Sequence, residues 1–349
     1  TLLPFSYFHG SLTLQEATPA AQWPISAFTS LDSPGGVAPH ELIYLDTETT
    51  GLGGAGMVPF LIGIGKLVGD GLEVRQYVIP DYDDESAMLA DLLGEIEGAK
   101  VVTYNGASFD LPVLRDRCII NRVHKSLSFE GNIDLLQSTR RLFKRRLKDC
   151  SLVNVERELF GFRRTDDIPG YLVPSVYFDW LSTENVSQLP SVLDHNLYDI
   201  VSLHFLAAHV ARTFHTEGES LKSVEDVYSL SRIYHRRNDR ERTTRLCARL
   251  DSEKTGSLAP DIRLFQAFAL KKSLRWEEAI PVFEEVATLE SREGYWANLE
   301  LAKYFEHRGK DFERALRHAR TAGSHCPCSK AEKERLAHRI TRLKSLISG

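Results

Sequence analysis

The chain has 349 residues, 42% of them hydrophobic and 26% charged, with a formal net charge of −5. That is ordinary globular composition, and the length suits two domains at roughly 100–200 residues each. The longest apolar runs, such as Phe60-Leu61-Ile62-Gly63-Ile64, fall far short of the roughly 20 residues that a membrane-spanning helix needs. A mildly acidic balance argues against a chain that coats nucleic acid indiscriminately, but it allows local basic tracks.

Cys118, Cys150, Cys247, Cys326 and Cys328 form no even disulfide ladder, which fits a reducing cytoplasm. Cys326-Pro327-Cys328 lacks a second cysteine or histidine pair at zinc spacing, so no metal is expected there. No secretory leader is visible, although a chain starting at Thr1 says little about targeting.

In chain order, residues 1–40 mix Pro, Ser, Gly and isolated aromatics without a sustained period, and read as an irregular N-terminal arm. Leu42-Ile43-Tyr44-Leu45 then reads as a buried strand delivering acids at its end. Phe60–Val68 and Leu72–Ile79 read as strands joined by the hairpin signal Gly69-Asp70-Gly71. Asp84–Glu97 carries helical periodicity through Met88, Leu89, Leu92, Leu93 and Ile96. Lys100–Tyr104 is a further strand, followed by an Asn105-Gly106 turn and a helix from about Ser108. A short strand is expected at Asn132–Asp134, and a long helix from about Val186 to Thr213.

This order resembles an RNase H-like domain, a mixed five-stranded sheet flanked by helices, over residues 41–215. Beyond Ser220 the strand signals stop. Arg240, Trp276 and Phe312 stand 36 residues apart, followed at the fourth position by Thr243, Ala279 and Ala315. The pattern resembles a tetratricopeptide-type array of helical hairpins over residues 220–349, although such repeats usually run 34 residues.

The strongest chemical signal is Asp46-Thr47-Glu48-Thr49-Thr50-Gly51-Leu52. Residues two apart in a strand share a face, so the Asp46 and Glu48 carboxylates project together. Two such acids repel unless a hard cation such as Mg²⁺ or Mn²⁺ lies between them. The bland alternative is an edge strand with solvated acids. Asp110 falls in a first helical turn, where an acid also complements the helix dipole. His195 and Asp199 are four apart on one helical face, as a surface ion pair would be.

Taken together, these pieces resemble the three exonuclease motifs of the DEDD superfamily. Asp46, Glu48, Thr50, Gly51 and Leu52 follow DxExTGL; Asn105, Phe109, Asp110 and Leu114 follow NxxxFDxxxL; Asp199 supplies the third motif. His195 departs from the two common third-motif patterns by standing where a tyrosine is usual, four residues ahead of the acid. An imidazole near its reference pKa of ~6.5 exchanges a proton at neutral pH, whereas a phenol does not. His195 is therefore read as the water-orienting residue or general base, against the alternative that it only hydrogen-bonds a carboxylate. Ile133-Asp134-Leu135-Leu136, Cys150-Ser151-Leu152, Glu156, Asp167-Ile168-Pro169-Gly170 and His195-Asn196-x-x-Asp199 narrow the resemblance to the bacterial YprB-like group.

The resemblance implies a 3′–5′ exonuclease with two divalent ions, Mg²⁺ or Mn²⁺, held by Asp46, Glu48, Asp110 and Asp199. Thr49, Leu52, Asn105 and Phe109 are then substrate-binding residues. Activity on DNA in repair is implied ahead of RNA trimming, with a helicase or other repair protein as partner of the helical repeats. Asp134 is read as a helix cap rather than a fifth ligand. Residues 140–148 carry six basic side chains in nine, and Arg232 to Arg249 carries seven arginines. Phosphate binding and a solvated helix face are equally good readings of both. The competing class is an adaptor whose first domain only binds nucleic acid.

Overall fold

The structure, a computed structural model, describes all residues except 19–21, 28, 30–35, 52–55, 124–126, 251–257, 325–328 and 349. Leu52 and the Cys326–Cys328 pair therefore lie outside the described residues. The chain divides into two compact units, Thr1–Ser220 and Leu221–Gly349.

The first unit holds strands β1 (Leu2–Pro4), β2 (Phe8–His9), β3 (Leu12–Thr13), β4 (Leu42–Thr49), β5 (Pro59–Val68), β6 (Gly71–Val78), β7 (Lys100–Thr103) and β8 (Gly131–Asp134). Its helices are α1 (Leu14–Ala17), α2 (Glu85–Ile96), α3 (Asp110–Ile120), α4 (Leu135–Leu147), α5 (Leu152–Val155, continued by a π-turn over Glu156–Phe160), α6 (Val173–Thr183) and α7 (Leu189–His215). The main sheet is six-stranded, in the order β1-β6-β5-β4-β7-β8. β4, β7 and β8 run parallel, while β5, β6 and β1 continue antiparallel. The sheet is thus mixed, as expected, but it has six strands rather than five. The added strand comes from the segment read as irregular: Leu2–Pro4 pairs with Gly71–Glu73 and the Thr1 ammonium donates to the Val74 carbonyl. Three residues ending in proline are too short for a period-two signal, and such a strand is at home only on an edge.

The two faces of β4 carry different helices. Ile43 and Leu45, with Ile62 and Ile64 of β5, pack with Met88, Leu89, Leu92, Leu93 and Ile96 of α2 and Leu114 of α3 in one buried cluster. On the other face, Tyr44 and Asp46 stand opposite Gly65 and Gly63 of β5, and α7 lies against them. A Cβ on Gly63 would come within 2.2 Å of Asn196 Oδ1, and one on Gly65 within 2.5 Å of Ile200. Missing side chains on β5 are therefore what let α7 approach the strand that bears the acids.

The described residues of the second unit form only helices: α8 (Val224–Arg236), α9 (Arg240–Cys247), α10 (Ala259–Lys272), α11 (Trp276–Ala287), α12 (Arg292–Tyr304), α13 (Phe312–Ser324) and α14 (Lys330–Ser348). The 36-residue spacing has a structural meaning, because Arg240, Trp276 and Phe312 each open the second helix of a hairpin. Thr243, Ala279 and Ala315 are each buried at the fourth position, where a small side chain lets the paired helices approach. Among the described residues no helix is long and apolar enough to cross a membrane.

Candidate active site

Asp46 and Glu48 lie on one side of β4 near its C-terminal end, where the pairing with β5 shifts register between Glu48 and Thr49. Such irregularities bend a strand and re-aim its side chains. Asn196 of α7 donates to Asp46 Oδ2 at 2.9 Å, and Gln76 of β6 donates to Asn196 Oδ1 at 3.0 Å. On the opposite side of the strand, Thr47 Oγ1 donates to Asp110 Oδ1 at 2.5 Å, tying β4 to the first residue of α3. Asn105, at φ 69°, makes the turn ahead of α3, and its carbonyl accepts from Ser108 and Phe109. An asparagine tolerates this left-handed backbone better than most residues.

From α7, His195 Nε2 faces Glu48 Oε1 at 3.9 Å and Asp199 Oδ2 at 3.7 Å. Its Nδ1 lies 2.7 Å from Asp167 Oδ1. A carboxylate only accepts, so this contact puts the proton on Nδ1 and leaves Nε2 as the basic nitrogen. Arg164 also approaches Nδ1, at 3.4 Å; the shorter bond decides the tautomer. Glu48, His195 and Asp199 offer ligand atoms that all lie within 4.8 Å of one another.

Burial and neighbouring charges both act on these acids. Burial pushes Asp46 well above the usual carboxylate range, and Asp199, Asp110 and Glu48 push it further. Glu48 is raised in the same way by burial, Asp199 and Asp110, with Arg164 opposing. Burial lifts Asp110 to about 6, against the hydrogen bond from Thr47. Acids that disfavour their own ionised form are unsatisfied without a cation, and hard oxygen donors suit a divalent one. The donor set fits such an ion.

Of the expected substrate residues, Asn105 is exposed and Phe109 half-buried, while Thr49 Oγ1 donates to the Gly51 carbonyl at 2.6 Å. Asp134 caps α4 through Leu136 N and also accepts from Asn105 N. Arg140, Lys144 and Lys148 line a groove with Tyr104, Asn105 and Cys150. Three of the seven arginines of the other cluster are engaged within their own unit. Arg242 pairs with Asp239, Arg249 donates to the Leu221 carbonyl, and Arg232 donates to the Tyr228 hydroxyl.

The motifs alone did not single out Thr47 or Arg164. Arg164 sits in the loop before α6 with its side chain 3% exposed, bonded to Glu156 and, at 2.5 Å, to Asp199 Oδ1. Burial opposes its charge, but Asp199 and Glu156 outweigh that and hold the guanidinium above its ordinary range. Tyr198 packs edge-on to Phe162 with Arg164 over its ring.

A family model described as RNase_H superfamily matches residues 43–211. The chain is also 35% identical over 351 residues to YprB of Bacillus subtilis (strain 168), covering 99% of this chain and 84% of that protein. Among solved structures it is similar to the family B DNA polymerase of the hyperthermophilic archaeon Pyrobaculum calidifontis. That likeness is 19% identical, covers 59% of this chain and 30% of the polymerase, and has a TM-score of 0.40. Through its RNase_H superfamily domain and its near full-length relative, the chain belongs to the family of YprB.

Proposed function

We propose that this protein is a metal-dependent 3′–5′ exonuclease acting on DNA in a repair setting in the cytoplasm. The observation that carries the reading is the cluster of Glu48, His195 and Asp199, whose ligand atoms lie within 4.8 Å of one another, with Glu48 on a strand that also bears Asp46 and is tied to Asp110 through Thr47, within an RNase_H superfamily domain. Those four carboxylates would hold two divalent ions, Mg²⁺ or Mn²⁺. When bound, such ions neutralise phosphate charge and make water a stronger nucleophile.

The chain's own part in the reaction is acid–base work and placement. His195 Nε2 takes the proton of the attacking water. The water oxygen forms a bond to phosphorus as the bond to the 3′ oxygen breaks, the leaving 3′ hydroxyl gains a proton, and a 5′-mononucleotide departs. Asn105 and Phe109 hold the terminal nucleotide, with Thr49 shaping the turn beside it and Leu52 against the last base. The groove of Arg140, Lys144 and Lys148 beside Asn105 supports a track for the strand's phosphates. The helical hairpins, a TPR-like array in this reading, dock a helicase or another repair protein.

The test is digestion of matched single-stranded DNA and RNA, each labelled at the 5′ end, with Mg²⁺ or Mn²⁺. A ladder of shortened, still-labelled DNA is expected. Faster loss of RNA would make the enzyme an RNA-trimming exonuclease, and no product from either would favour the adaptor.

A further inference from the structure

Arg164 is held by several carboxylates at once. Its Nε and Nη2 donate to Glu156 Oε2 and Oε1 at 2.9 and 2.5 Å. The same Nη2 donates to Asp199 Oδ1. Glu156 is fully buried and also accepts from Ser202 Oγ of α7 at 2.6 Å; that hydroxyl lies 2.9 Å from His9 Nε2 of β2. The guanidinium is thus clamped from the π-turn, from α7 and, through His9, from the N-terminal hairpin. A planar fork held on both edges has no free rotation.

We infer that Arg164 is a positioning residue: by holding Asp199 Oδ1 it commits that carboxylate to a single free oxygen, Oδ2, turned toward His195 and Glu48. The inference rests on the exonuclease reading, in which Asp199 is a metal ligand. Groups that orient a ligating carboxylate are as much a part of a metal site as the ligand itself.

Two effects of Arg164 on a divalent ion have opposite signs. As a nearby positive charge it repels the ion, so its removal would tighten binding. As a clamp it keeps Oδ2 in place, so its removal would loosen binding by freeing Asp199 to turn. The clamp is the larger effect here, because the guanidinium charge is already matched by Glu156 at hydrogen-bond distance.

The sign is measurable as Mn²⁺ affinity, read from the free-ion signal in electron paramagnetic resonance at fixed pH, alongside kcat and KM on 5′-labelled single-stranded DNA. Arg164→Gln alone strands the buried Glu156 charge and threatens folding. The informative variants are therefore Arg164→Lys, which keeps the charge but not the fork, and the double variant Glu156→Gln/Arg164→Gln, which leaves a neutral pair. A melting scan establishes that each is folded. Both variants should bind Mn²⁺ roughly 10–100-fold more weakly and lose kcat, with KM for DNA nearly unchanged. Unchanged or tighter Mn²⁺ binding with wild-type kcat would overturn the inference. A wild type that neither binds Mn²⁺ nor cleaves DNA would overturn the exonuclease reading instead.

Discussion

At the scale of single residues, burial and the repulsion of neighbouring acids disfavour the ionised forms of Asp46 and Glu48. Asp110 shows the sign of the burial effect most cleanly, because burial raises its pKa from 3.8 in the open chain to about 6 on folding. A group raised on folding contributes its stability in full at pH values below the unfolded pKa and loses it as pH climbs through the folded one. In the presence of a chelator, Asp110→Asn should therefore gain in Tm relative to wild type between pH 4 and pH 8. The asparagine oxygen can still accept from Thr47, so the variant removes the charge and little else. Adding Mn²⁺ should shrink the gain by stabilising the wild type. A Tm difference that stays constant across this pH range, with chelator present, would contradict the raised Asp110 pKa.

Much of this scale was legible in advance. Period two along β4 put Asp46 and Glu48 on one face, and the spacing of four put His195 beside Asp199. Their partners were not legible. Thr47 reaches Asp110 across 63 residues, Asn196 reaches Asp46 across 150 and Arg164 reaches Asp199 across 35. Contacts of that span follow from the packing of the elements, and no local pattern announces them.

At the scale of elements, the decisive approach is that of α7 to the sheet. Gly63 and Gly65 look in sequence like breaks in an apolar strand, yet they are the floor on which Asn196 and Ile200 rest. Gly63→Ala places a methyl group against Asn196, whose amide is already committed to Asp46 and Gln76. Leaving such buried polar groups unpaired costs about 1–3 kcal/mol. Urea unfolding should show a loss of that size, together with a fall in kcat; wild-type stability would mean that α7 has slack at this point.

The other element of interest is α4. Arg140 and Lys144 are exposed on it. Each cationic side chain that neutralises a phosphate of a single strand adds ~0.7 to the log–log slope of binding against salt. Arg140→Glu/Lys144→Glu should weaken DNA binding and reduce that slope by about 1–2. An unchanged slope would make the face merely solvated. The sequence left those two readings level because a basic helix face looks the same in both, and the salt slope is what separates them.

At the scale of the molecule, the chain has two compact units, and every residue assigned to chemistry lies in the first. A fragment covering residues 1–220 should fold and retain divalent-ion-dependent cleavage of short single-stranded DNA. The N-terminal residues must be kept in it: β1 completes the sheet, and His9 touches the Ser202 hydroxyl that supports Glu156. Their weak sequence signal concealed that role, because two- and three-residue strands carry no usable period. Removing residues 1–13 from the fragment should lower Tm and activity together, and full activity without them would show the hairpin to be dispensable.

In the proposed function, acids on β4, α3 and α7 form a metal-dependent nuclease centre. That reading is tested most directly by incubating wild type and Asp46→Ala with 5′-labelled single-stranded DNA, with Mn²⁺ and again with excess chelator. Progressive shortening from the 3′ end by wild type is expected with Mn²⁺ only, and at least a 100-fold slower reaction, roughly the loss of one essential catalytic group, for the variant. Equal cleavage by both proteins, or cleavage by the wild type that survives the chelator, would contradict it.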